Sequence, residues 1–131
     1  MKTDFTNPKD WLYFANVDLE AIDLLSTHRI AYEVCLTKLA ECLEKIIKAE
    51  LTRNGWKLRK EHDLQWLAKE MATFSPNLTL SIQDTVESLT DVYFTSRYPG
   101  FDLLEADWEN FDTHHSSVKK FYQCVLQLTE I

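Results

Sequence analysis

The chain has 131 residues, 45% of them apolar and 12% aromatic, enough to bury a core without disulfides or a structural metal. Its net charge of −7 excludes a broadly basic nucleic-acid-binding surface, while leaving room for one local basic pocket. No apolar run approaches the roughly 20 residues of a spanning helix, and the opening "MKTDFTNPKD" lacks the apolar segment of a signal peptide, so no membrane association is expected.

With only two glycines and three prolines there is little turn material, which favours long helices with few connections. "NPKD" opens the first. Asn7 suits the N-cap, Pro8 the first helical position, and Asp10 the positive end of the helix dipole. Trp11, Leu12, Ala15, Leu19, Ile22 and Leu25 then recur at helical spacing to an end near residues 26–28. A second helix is predicted from about Arg29 to Arg53, with a broad apolar stripe that implies contacts on more than one side. Glu41 with Lys45, and Glu44 with Lys48, have the acid-first spacing of ion pairs along one helix. Asn54 or Gly55 can take the left-handed cap that stops it.

A short third helix starts near "KEHDL" and carries Leu64, Leu67, Ala68 and Met71 on one face. After "TFSPN", Leu78, Ile82, Val86, Leu89 and Tyr93 form the stripe of a fourth, which "TSRYPGFD" ends, because Tyr98 precedes a proline. Val118, Phe121, Tyr122, Val125 and Leu128 mark the last. With no strand pattern or repeat, the fold expected is all-α: one domain, residues 1–131, an up-and-down bundle of about five helices, four long and one short.

Cys35, Cys42 and Cys124 lie in helical patterns without a Cys-x-x-Cys pair, which fits a reducing, cytoplasmic setting and neither a disulfide framework nor a zinc site. His114 and His115 are adjacent and point about 100° apart on a helix, so they do not chelate one metal; no metal ligand and no cofactor are expected. Trp11, Trp56, Trp66 and Trp108 are read as core or interface anchors.

Three stretches, in order, resemble the HEPN family of small helical bundles: "AYEVCLTKLAECLEKIIKAEL", "KEHDLQWLAKEM" and "LTDVYFTSRYPGFD". With the opening "WLYFANVDLEAIDLL" they cover most of the chain. The resemblance implies either a ribonuclease or a non-catalytic nucleotide- or substrate-binding form. The latter often works beside a minimal nucleotidyltransferase and sometimes in toxin–antitoxin pairs. The family's ribonucleases carry an Arg followed four to six residues later by a His. Here the first His after Arg97 is His114, and neither Arg53 nor Arg59 has the spacing to His62. No catalytic residue is therefore assigned, and the enzyme reading is demoted.

The candidate ligand-binding residues are Arg97, Tyr98, His62, Asp63, Lys45, Lys48 and Arg59. Arg97 can contact a phosphate in a fork geometry with Tyr98 stacking on a base, or, more commonly, satisfy helix-end carbonyls and nearby acids such as Asp102. His62 and Asp63 can face an anion at a helix start; such residues more often cap the helix. "RNGWKLRK", with Arg53, Lys57, Arg59 and Lys60, is the one concentration of positive charge, either a solvated loop or a phosphate-binding surface. Glu44, Lys45 and Lys48 read as a solvated helix face, although the resemblance places this region near the Arg-Tyr-Pro turn. Three functions follow: the first is a non-catalytic, homodimeric binding module for a nucleotide, RNA or a nucleotidyltransferase partner, and the second a ribonuclease toxin that pairs Arg97 with His62. A purely structural dimeric scaffold is the third.

Overall fold

A computed structural model describes residues 2–90, 92–95, 97–102 and 105–130, the side chains of 93 and 94 excepted. The helices are α1 (Pro8–Thr27), α2 (Tyr32–Arg53), α3 (Leu64–Phe74), α4 (Pro76–Leu89), the one-turn α5 (Val92–Thr95) and α6 (Trp108–Thr129), with no strand among the described residues. The architecture is the expected all-α bundle, with one turn of helix added.

Local chemistry explains most boundaries. Asn7 caps α1 by accepting from the Lys9 N–H at 3.0 Å, and Pro8 occupies the first helical position. After α2, Gly55 takes the left-handed conformation at φ 83°, while Asn54 stays at φ −93°.

Two boundaries differ from expectation. The second helix begins at Tyr32 rather than near Arg29, because Arg29 and Ala31 both have positive φ, 53° and 54°. L-residues avoid this region by about 1–2 kcal/mol. Tertiary contacts hold it here: the Arg29 guanidinium donates to both oxygens of Asp112 on α6, at 2.8 and 2.7 Å, and lies 5.2 Å from the centre of the Trp108 ring. The fourth helix ends at Leu89, and residues 92–95 form a separate turn. The side chain of Tyr93, expected on the stripe of the fourth helix, lies outside the described residues.

Of the described helices, α2 alone contacts all the others. Its broad apolar stripe has that consequence: Leu39, Leu43, Ile46, Ile47 and Leu51 are fully buried, each contributing about 1.5–3 kcal/mol of burial. Trp11, Trp56, Trp66 and Trp108 are half-buried against this core. Glu50, also fully buried, fastens the end of α2 to the α3–α4 junction. It accepts from Arg53, from Asn54 Nδ2 at 2.8 Å and from Ser75 Oγ at 3.2 Å.

Candidate ligand-binding site

Lys38, Glu41, Lys45 and Lys48 recur at three- and four-residue steps, which places them along one side of α2 with Glu44 beside them. Neighbouring elements complete the stripe. From α1, Asp18 reaches Lys45 Nζ at 2.6 Å. His62, at the end of the loop before α3, sets its Nδ1 3.0 Å from Glu44 Oε2. Arg97, just after α5, pairs with Glu41. Lys38 also reaches Glu41, at 3.0 Å, and Lys48 reaches Glu44 at 2.9 Å.

Burial makes this more than a solvated face. The side chains of Lys48 and Asp18 are 5% and 9% exposed. Groups of this kind are almost never buried unless paired. Lys48 also lies 5.5 Å from the centre of the Trp11 ring, a cation–π contact. Arg97, Glu41 and Lys45 are about a quarter exposed, open to a ligand yet shielded from full solvent screening. Beneath the stripe, Cys42 donates to the Ala15 carbonyl at 3.4 Å, and burial pushes its thiol far above the ordinary range, so it is inert. Four fixed cations (Lys38, Lys45, Lys48 and Arg97) meet three carboxylates here, with His62 alongside.

The structure therefore gathers Arg97, His62, Lys45 and Lys48 into one site, but with other partners than the sequence suggests. Lys45 pairs with Asp18 across the α1–α2 seam rather than with Glu41, because Glu41 is engaged by Lys38 and Arg97. Arg97 is carried to Glu41 on α2, an acid 56 residues away that the sequence did not single out for it. The Glu44–Lys48 pair forms as expected.

Of the remaining candidates, Asp63 and Arg59 have other partners. Asp63 caps α3, its carboxylate accepting from the N–H groups of Gln65 and Trp66 at 3.0 and 3.3 Å, so its oxygen occupies the end where an anion would bind. Arg59 lies 4.9 Å from the centre of the Trp66 ring. Tyr98 is exposed beside Arg97. His114 and His115 diverge, His114 Nδ1 to Thr85 Oγ1 at 2.8 Å and His115 Nε2 to within 2.8 Å of Asp23 Oδ1. No group of three or more metal-ligating side chains is assembled among the described residues.

Sequence reading missed Asp18 and Lys38. Asp18 carried a signal: it stands three residues from Ala15 and four from Ile22, in phase with the buried side of α1. A carboxylate at a core position implies a cation facing it from another element. Lys38 carried none.

The family model described as HEPN domain matches residues 8–129, from the first residue of α1 to the last of α6. No curated protein and no solved structure matches the chain significantly.

Proposed function

The chain belongs to the HEPN domain family, and from that premise we propose that it is a non-catalytic binding module, with the α2 stripe as its site for a nucleotide or other phosphate-bearing ligand. One observation carries this reading: four fixed cations converge in a half-buried stripe on a chain whose net charge is −7. Arg97 offers the planar fork that matches phosphate oxygens, and the exposed Tyr98 ring beside it offers a stacking surface for a base. The carboxylates Glu41 and Asp18 hold Arg97 and Lys45 in place, and the exposed quarter of each cation is what a ligand phosphate would reach. A nucleotidyltransferase partner would supply any metal and chemistry, as in a toxin–antitoxin pair in the cytoplasm. The outer side of α1, where Tyr13, Phe14, Val17 and Leu24 are exposed opposite its buried face, supports a homodimer.

The test is thermal unfolding of wild type and Arg97→Ala with nucleotides and short RNAs. Arg97 is the residue to remove, because deleting Lys45 would strand the buried carboxylate of Asp18. A ligand at a hundred times its Kd adds about 2.7 kcal/mol, several degrees in Tm, and high salt should erode the rise. Equal shifts in both proteins, or none with any ligand, would refute the reading.

A second reading is a ribonuclease with an unconventional pair. Its support is that Arg97 and His62 reach Glu41 and Glu44, carboxylates three residues apart on α2. Their roles would be a cation for the developing phosphorane charge and a base for the 2′-hydroxyl. RNA cleavage lost in both Arg97→Ala and His62→Ala would establish it in place of the first.

A further inference from the structure

A second concavity, of about 260 Å³, opens between α2, α4, α5 and the start of α6. Its floor is apolar, built from Leu36 and Leu39 of α2, Leu89, Val92 and the edge of Phe111. Around the rim stand Ser88, Glu105, Asp107 and His114. This is the form of a small-molecule site, an apolar body with a few polar groups around its mouth. It is distinct from the cationic stripe. Leu36 and Lys45, like Leu39 and Lys48, are nine residues apart, about two and a half turns, which sets them on opposite sides of α2.

The charge of the rim selects the ligand. Two carboxylates stand on it, and no Lys or Arg is among the described lining residues. Asp107 uses one oxygen to cap α6 through the Asn110 N–H at 3.0 Å, and His114 is oriented by Thr85. Glu105 is exposed, with no hydrogen bond or ion pair to another described residue. One wall belongs to an aromatic cluster. Tyr32 packs edge-on to Trp108 at 5.1 Å and to Phe111 at 6.4 Å, and Phe111 to Trp108 at 5.4 Å. Of this cluster, Tyr32 and Phe111 line the concavity, while Trp108 stands behind them and carries the Arg29 guanidinium. Acidic rim, aromatic wall and apolar floor together fit a positively charged head on a hydrophobic body.

We infer that this concavity binds a small organic cation, an amine carrying an aromatic or aliphatic group, whose apolar part enters between Leu36, Leu39 and Phe111 while its ammonium meets Glu105 and Asp107. Phenethylamine is the probe and 2-phenylethanol its neutral counterpart, titrated into isotope-labelled full-length protein at constant ionic strength. A ligand of so few atoms is expected to bind at roughly millimolar Kd.

Amide signals of residues 88–92 and 110–114 should move with the amine and stay in place with the alcohol. Glu105→Gln should weaken the amine about two- to five-fold, the effect of one exposed charge. Ser88→Trp, a change at an exposed rim position, should abolish binding by filling the mouth, and Arg97→Ala should leave it unchanged. Equal responses to amine and alcohol would overturn the inference. So would no response up to about ten times the expected Kd, or amine binding unchanged in both Glu105→Gln and Ser88→Trp. Should Ser88→Trp fail to fold, Glu105→Gln with the amine–alcohol comparison decides.

Discussion

Removing Arg53 should harm the protein more than removing Glu50, although Arg53 is the more exposed partner of their ion pair. The Glu50 side chain is 0% exposed and that of Arg53 is 31% exposed. Arg53 donates through Nε to Oε1 at 2.9 Å and to Oε2 at 3.2 Å, whereas Asn54 and Ser75 both donate to Oε1. In Arg53→Ala, the carboxylate stays buried with two neutral donors on one oxygen and the Arg53 donor to the other gone. Breaking a buried pair this way costs about 3–5 kcal/mol. In Glu50→Ala the guanidinium, already part-exposed, rehydrates. The loss is then mainly the orphaned Ser75 hydroxyl, about 1–3 kcal/mol, since the Asn54 amide keeps the main-chain carbonyl of residue 50 at 2.8 Å. The double variant should resemble Glu50→Ala, because the stranded charge has left with the residue. Urea unfolding followed by circular dichroism at 222 nm gives all three values at an unchanged m-value. At roughly 3–6 °C per kcal/mol for a chain this size, Arg53→Ala should lower Tm by about 10 °C or more. A Glu50→Ala variant as destabilised as Arg53→Ala would refute this account of the network.

The remaining predictions concern the α1–α6 seam and the outer face of α1. Burial holds the His115 imidazolium below its ordinary pKa, outweighing the attraction of Asp23. The folded state is thus the weaker proton binder, so stability is full above the unfolded histidine pKa and falls as pH drops through the lowered folded value. Tm measured from pH 8 to 5 should decline more in wild type than in His115→Gln; parallel profiles would contradict this. For the proposed dimer, Val17→Asp and Leu24→Asp each place a charge on the exposed apolar side of α1. Sedimentation velocity should show association weakened by about tenfold or more, the worth of one buried aliphatic contact. Unchanged association in both would move the interface elsewhere, to the face of α4 that carries exposed Leu80.

Features set by neighbours a few residues away were legible before any fold was known. Asn7 and Pro8 start α1, Asp63 caps α3, Gly55 stops α2, and the apolar stripe of α2 makes it central. Such signals are written in local backbone chemistry and helical period, and a family resemblance added the order of the segments. Which charges meet was set by the packing of the helices. Lys45 takes Asp18, 27 residues away, and His62 takes Glu44, 18 residues away. Long, flexible charged side chains have several acids within reach along their own helix, and packing of the elements selects among them. The start of α2 belongs to the same class. Nothing in "HRIAY" announces left-handed backbone at Arg29 and Ala31; it exists because Asp112 and Trp108, brought by α6, hold Arg29 there.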